Sequence, residues 1–433
     1  MGCLRTARID SRRSIHAETH PRHGDCASGT PTADLTNGLS PIGRRVIART
    51  NSDADGKRTD LVLEPSSFVK PRKIACFIHS LSGGGAERVM AGLTNDLALR
   101  GHDVALVTLT PDSDRNHKTI AQVQRHCLDV DSNACSLFAK IRQVRKRHRS
   151  IADAIDRIKP DVVISFCDRT NIDVLLASHP DGPPVIACER SDPSAQSLGR
   201  FWERMRRKSY AKARCVVALT EASAGYLEAF APRVVVIPSA VRAPDLVSDR
   251  KTAQANRCIV GAGRLENEKG FDRLIRAFAV ATKTHPDWTL KIYGDGRLRD
   301  ELREFAATLG IIDRVEMPGW VQPLTPELAQ ASIFCLSSRY EGFPSVLLEA
   351  MSVGVPSISV DCESGPRAII NHEQNGLLVP DQSEALAAGL QRMIADDETR
   401  ERFGHEGRNV TQRYGWDAMI DSYENLVAEV AAR

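Results

Sequence analysis

The hydrophobic pattern of the chain starts abruptly at Lys73. Ile74-Ala75-Cys76-Phe77-Ile78 is an unbroken apolar run, as a parallel strand covered on both faces requires. A Ser/Gly loop at 80–85 follows. From 86 to 100, Val89, Met90, Leu93 and Leu97 recur on one helical face. Gly101-His102-Asp103 closes that helix, and 104–108 predicts the next strand, completing a strand–helix–strand unit. Strands are predicted again at 162–165, 185–187, 215–218 and 234–237, with helices between them. The alternation then lapses over 243–256, a polar stretch without periodicity, and restarts. The second series has strands at 258–261, 290–293, 315–317, 333–336 and 356–360, with helices at 271–285 and 298–309 and a last one at 416–430.

Two successive doubly wound α/β domains follow from this pattern: residues 71–243, a linker at 244–256, and residues 257–410. A terminal helix within 411–433 is expected to pack back toward the first domain. Residues 1–70 are rich in Arg, Ser, Thr, Pro, Gly and His, with few aromatics. They cannot bury enough apolar surface to offset their ordering entropy, so a disordered extension is expected there. Met1-Gly2-Cys3-Leu4-Arg5-Thr6 fits a myristoylation pattern, but the match is short and the composition argues for the extension instead.

Composition narrows the setting. At 42% apolar and 26% charged the chain is that of a globular protein, and a net charge of +3 does not by itself imply a nucleic-acid partner. No apolar run is long enough to cross a bilayer, and the start lacks the order of a secretory signal. The eleven cysteines are odd in number and contain no C-x-x-C pair. Cys76, Cys258 and Cys335 sit inside strand-like runs, which reads as small buried hydrophobes in the reducing cytoplasm.

Three loops could carry chemistry. Ser82-Gly83-Gly84-Gly85-Ala86-Glu87-Arg88 joins the first strand to its helix, where glycines permit close backbone approach and a helix start favours an anion. Gly261-Ala262-Gly263-Arg264-Leu265-Glu266 imitates a dinucleotide fingerprint but has Glu266 where the third glycine belongs, which disfavours a nicotinamide enzyme. Arg264 and Lys269 in that loop are either solvated surface charges or a cation pair for a diphosphate leaving group. The third loop, Glu341-Gly342-Phe343-Pro344-Ser345, leads into a helix that carries Glu349. Pro344 suits a first helical position, leaving amides near Phe343, Ser345 and Val346 to cradle phosphate oxygens. A carboxylate inside so apolar a helix needs a partner if it is buried, and ribose hydroxyls would serve.

From Lys73 onward these motifs resemble a retaining family-4 glycosyltransferase of the GT-B fold, of the bacterial exopolysaccharide, O-antigen or glycan repeat-unit type. The resemblance rests on Gly-Gly-Ala-Glu-Arg at 84–88, Ile-Ser-Phe at 164–166 and Glu-Arg-Ser-Asp-Pro at 189–193. It rests also on Gly-Arg-Leu followed by Glu-Lys-Gly, and on the E-x7-E pair Glu341 and Glu349. It implies two Rossmann-like domains facing a cleft, with the acceptor side in the first and the nucleotide sugar in the second. Glu341, Arg264 and Lys269 are the expected catalytic group. Arg264 and Lys269 would hold the donor diphosphate, Glu341 the sugar hydroxyls and Glu349 the ribose. Gly84, Gly85, Val321, Gly342, Phe343, Pro344 and Ser345 would complete the donor site, with backbone near Gly319-Trp320-Val321 along the base. The resemblance implies retention, a UDP-linked hexose or N-acetylhexosamine donor, and neither a cofactor nor a divalent metal. Relatives carry a histidine near the donor sugar where this chain has Glu189-Arg190-Ser191. Arg190 and Glu87 are therefore candidates for an acceptor or phosphate contact. Asp129-Val130-Asp131 imitates a metal-binding D-x-D but lies outside a nucleotide-binding unit.

Two basic runs lie in the acceptor-side domain: Lys140, Arg142, Arg145, Lys146, Arg147 and Arg149, and Arg200 to Lys208 with Trp202, Met205 and Tyr210 nearby. Such runs are either solvated helix faces or a docking face for anionic headgroups. The second reading predicts a peripheral enzyme on the inner face of the plasma membrane, acting on a glycan or a polyprenyl-diphosphate-linked acceptor. The rival readings are a catalytically silent sugar-nucleotide-binding subunit and a GT-B-like nucleotide-sugar epimerase.

Overall fold

The computed structural model describes residues 70–130, 136–362 and 364–432. The expected extension over residues 1–70, the myristoylation match and Asp131 of the D-x-D motif lie outside the described residues, except Lys70.

The first series of elements runs β1 (Lys73–Ile78), α1 (Gly85–Leu99), β2 (Asp103–Thr108), β3 (Gln124–Cys127), α2 (Leu137–Ile158), β4 (Val162–Phe166) and α3 (Asp168–Ala177). It continues with β5 (Val185–Cys188), α4 (Arg200–Tyr210), β6 (Cys215–Ala218), α5 (Glu221–Leu227) and β7 (Val234–Val236). All seven strands are parallel, in the order β3-β2-β1-β4-β5-β6-β7. Their side chains alternate between two cores. Ile74, Cys76, Ile78, Leu106, Ile164 and Cys188 pack against α1, while Ala75, Phe77, Val107, Val163 and Ala187 face α2, α3, α4 and α5. Burial on both sides is why these strands read as continuous apolar runs.

The second series begins inside the segment read as a linker. α6 (Arg250–Ala255) forms there because Asp249 caps it, accepting from Lys251 N at 3.3 Å, and because Arg250 donates to the carbonyls of Ala331 and Ser332. Then come β8 (Cys258–Ala262), α7 (Phe271–Ala281), β9 (Thr289–Tyr293), α8 (Arg299–Thr308), β10 (Val315–Gly319), α9 (Thr325–Ala329) and β11 (Ile333–Leu336). These are followed by α10 (Ser345–Ser352), β12 (Ser357–Val360), α11 (Gly365–Ile369), β13 (Leu377–Val379), α12 (Ser383–Ala395), α13 (Asp397–Gly407) and α14 (Val410–Arg413). The six-stranded order is β10-β9-β8-β11-β12-β13, again parallel. α7 ends earlier than the predicted 271–285, where Thr282 turns its hydroxyl back onto Phe278 O at 2.8 Å.

The last helix, α15 (Trp416–Ala431), belongs to the first core. Trp416, Met419, Ile420, Tyr423, Val427 and Val430 pack with the β1, β2 and β4 side chains. Its entry is fixed by the Val241 N to Tyr414 O and Trp416 N to Val241 O bonds, and Trp416 Nε1 donates to Asp96 at 2.5 Å. Of the described cysteines, Cys76, Cys188, Cys215, Cys258, Cys335 and Cys362 are buried, and Cys127 is exposed. No described helix is long and apolar enough to cross a membrane.

Candidate active site

In a parallel α/β sheet, ligands collect at the carboxyl ends of the strands, where the following helices start. In the second sheet, β8 runs out into Gly263 and Arg264, then a single 3₁₀ turn (Asn267–Lys269) and Gly270 lead into α7. Gly270 is left-handed at φ +62°, and a Cβ there would stand 2.2 Å from Ser337 O, so only glycine fits. Ser337 Oγ donates to Lys269 O at 2.9 Å, which ties this turn to the end of β11.

That tie sets Lys269 against the third loop. Lys269 Nζ donates to Glu341 Oε1 at 2.7 Å, and Ser338 Oγ donates to the same oxygen at 2.7 Å. The Glu341 side chain is only 9% exposed, so its charge is met by a cation and a hydroxyl rather than by water. Ser364 Oγ holds the Glu341 carbonyl at 2.6 Å. Arg264 is more exposed and pairs with Glu268 at 3.0 Å. Glu266 turns to Arg297, 2.5 Å away. The failed fingerprint thus begins a separate turn rather than a helix aimed at a pyrophosphate.

Pro344 caps α10 rather than opening it, one residue earlier than expected. Its ψ of 97° is extended, and its carbonyl accepts the first helical bonds, from Leu347 and Leu348. The amides of Ser345 and Val346 precede those bonds and form the anion-favouring start of the helix. Phe343 is buried and meets Tyr414 edge-on at 5.1 Å, which anchors the loop. Gly342 lies against the first domain: a Cβ there would come within 2.9 Å of Arg190 O and 2.7 Å of Ser191 Cα.

The facing loop of the first domain comes equally close. Gly84 caps α1, and a Cβ on Gly85 would lie 3.6 Å from Ser345 Oγ, so the starts of α1 and α10 oppose each other. Arg88 Nη2 stands 2.7 Å from Glu349 Oε1. Half-buried Glu349 therefore has a guanidinium from the other domain as its ion-pair partner, a contact not anticipated from sequence. His117 bridges Gly84 O at 3.1 Å and Gln322 Nε2 at 3.2 Å, next to the half-buried Val321. Arg115 meets Asp295 at 3.0 Å. The carboxylate of Glu87 folds over Gly84, and burial pushes its pKa up against the opposing pull of Arg264 and Arg190.

The Glu189-Arg190 step divides two roles. Glu189 is fully buried behind the cleft, accepting from Tyr210 Oη at 2.7 Å with Arg206 3.7 Å away. Burial, then the nearby Asp168, pushes its carboxyl up to about 7. Arg190 lies over the buried Phe166 ring and donates to Ser239 Oγ at 2.5 Å. Asp129 has a left-handed backbone at φ +45°, and among the described residues no group of three or more His, Cys, Asp or Glu is placed to hold a metal.

A family model described as "Glycosyltransferase Family 4" matches residues 83–243, and one described as "Glycosyl transferases group 1" matches residues 246–410. The chain is 28% identical over 364 residues to the GalNAc-alpha-(1->4)-GalNAc-alpha-(1->3)-diNAcBac-PP-undecaprenol alpha-1,4-N-acetyl-D-galactosaminyltransferase of Campylobacter jejuni, covering 83% of this chain and 99% of that protein. It is 37% identical over 224 residues to the exopolysaccharide phosphotransferase SCO2592 of Streptomyces coelicolor. That match takes 50% of this chain but only 24% of the relative's length. Among solved structures, Anabaena Alr3699/HepE in complex with UDP and glucose superposes with a TM-score of 0.68 at 19% identity, over 82% of this chain and 99% of the other.

Proposed function

Since the chain belongs to the family-4 glycosyltransferases of the GT-B fold, we propose that it transfers a hexose or N-acetylhexosamine from a UDP-sugar to a lipid-linked glycan, with retention of anomeric configuration. The observation that carries this reading is the Lys269–Glu341 pair beside the open start of α10. A diphosphate placed there meets Lys269, Arg264 and the Ser345 and Val346 amides. This fixed positive charge can stabilise the leaving group in the role a divalent metal would otherwise fill. Glu341 then faces the sugar hydroxyls. As the acceptor oxygen bonds to the anomeric carbon, the bond to the diphosphate oxygen breaks. The acceptor hydroxyl's proton passes to that departing oxygen.

A lipid-linked acceptor is supported by the undecaprenol-linked substrate in the Campylobacter relative's name and by one rim of the cleft. α2 and α4 both follow the carboxyl ends of strands, so both begin on the ligand side of the first sheet. Their outer faces carry Lys140, Arg142, Arg145 and Lys146, and Arg204, Arg207 and Lys208. They also carry Phe138 and Phe201, 86% and 66% exposed. Basic helices with outward aromatics suit an anionic membrane surface.

The test is nucleotide release from a panel of UDP-sugars, with and without polyprenyl-diphosphate-linked glycans. We expect release to require the acceptor, and to fall about 100-fold or more in Lys269→Ala and Glu341→Ala. Acceptor-independent interconversion of donors would instead identify an epimerase, and binding without release a silent subunit.

A further inference from the structure

Glu349 lies on a helix whose neighbouring side chains, Leu347, Leu348, Ala350 and Met351, are fully buried, and its own side chain is 15% exposed. A carboxylate in that position is costly without a counter-charge. The counter-charge is Arg88, one turn into α1 on the opposite domain. The two helices meet start to start, at Gly85 and Ser345, so their positive dipole ends face each other. The Arg88–Glu349 pair joins the two helices across that approach. Arg88 lies on the Oε1 side of Glu349 as an ion pair, and a carboxylate accepts at both oxygens, so Oε2 can still accept from ribose hydroxyls.

We propose that Arg88 is a donor-positioning residue: acting through Glu349, it makes the grip on the ribose conditional on the two domains being closed. Opening the cleft removes the cation and leaves Glu349 unpaired in apolar surroundings. Closing it fixes the carboxylate, and donor and closure each favour the other. The proposal rests on the donor reading above for the identity of the ligand, but not for the pair itself.

Two measurements on the full chain separate these layers. Without nucleotide, hydrogen exchange at the first turns of α1 and α10 is compared in the parent, Arg88→Ala, Arg88→Lys and Glu349→Gln. We expect exchange about tenfold faster at both helix starts in Arg88→Ala and Glu349→Gln. Arg88→Lys should fall between, since it keeps the charge on a shorter side chain. UDP titration should then show Arg88→Ala and Glu349→Gln each weakened about tenfold, with the double variant no weaker than Glu349→Gln alone. Unchanged exchange in Arg88→Ala, or losses that multiply in the double variant, would overturn the proposal while the donor reading stands. UDP failing to bind the parent chain would overturn the donor reading and the ribose part of the proposal together.

Discussion

The two sides of the cleft hold their charges in different ways. In the second domain most site residues find partners in their own domain: Lys269, Ser338 and Glu341 bond among themselves and Arg264 pairs with Glu268, while Glu349 is met from across the cleft. In the first domain, the groups that reach the cleft find partners on the far side, as Arg88 does at Glu349, Arg115 at Asp295 and His117 at Gln322. One half is organised before any ligand arrives, while the other is completed by closure. The contrast suits a group transfer that must keep water from the leaving group. The fixed half can stabilise charge without reorganising, and the conditional half commits the reaction only when the cleft is shut.

The strongest way to break this contrast is to loosen the fixed half without touching its charges. Gly270→Ala forces a Cβ to 2.2 Å from Ser337 O in a left-handed backbone, so the turn that holds Lys269 must shift. We expect about 3 kcal/mol of lost stability in urea unfolding. Misplacing the cation should lower the transfer rate about 100-fold. Gly101→Ala is the control: the position is also left-handed, at φ +91°, but a Cβ there would have nothing within 4 Å, and it lies far from the cleft. It should cost about 1 kcal/mol and leave activity unchanged. Equal activity in the two variants would mean that the Lys269 turn does not organise the site.

A smaller effect is expected at the rim of the conditional half. Lys140→Ala with Arg145→Ala removes two cations, each worth about 1 kcal/mol near an anionic leaflet, so affinity for phosphatidylglycerol vesicles should fall about 30-fold. UDP binding should not change, because these exposed residues belong to α2 and not to the cleft loops. Equal sedimentation of the parent chain with neutral and anionic vesicles would remove the membrane face from the reading.

The same contrast explains what could be read in the sequence. β1, β4 and β6 are covered on both faces, so burial writes itself into unbroken apolar runs. β3, Gln-Arg-His-Cys, is an edge strand with no buried residue, and β13 is only three residues long; neither leaves such a trace. α6 is held by contacts to Ala331 and Ser332, distant in the chain, which local periodicity cannot report. At the site, residue types and loop positions marked Lys269, Arg264, Glu341 and Glu349. Their pairings depend on tertiary approach: Lys269 and Glu341 lie 72 positions apart. The apolar setting of Glu349 signalled that it needed a partner, but nothing local pointed to Arg88. Glu189 and Arg190 are adjacent in sequence, yet a strand end leaves one fully buried against Tyr210 and the other half-buried over Phe166.

The smallest expected effect concerns His117, which spans both halves. Gly84 O can only accept, so the His117 proton belongs on Nε2, and Nδ1 accepts from the Gln322 amide. Burial, then the nearby Arg88, holds its pKa below the ordinary histidine value, so the folded chain favours the neutral ring. An unfolded chain takes up the proton first as pH falls. The stability that His117 contributes is therefore complete above its unfolded pKa and is lost as pH drops through that value toward the lowered folded one. Between about pH 7.5 and about pH 5.5, His117→Phe should show a shallower fall in Tm than the parent, by about 2 °C or less, because the Gln322 amide can turn its oxygen toward a protonated ring. The nucleotide-free hydrogen exchange of the α1 start should lose its acid sensitivity in the same variant. If parent and variant fall in parallel on both measures, His117 is not part of the closing contact, and the conditional half reduces to its arginines.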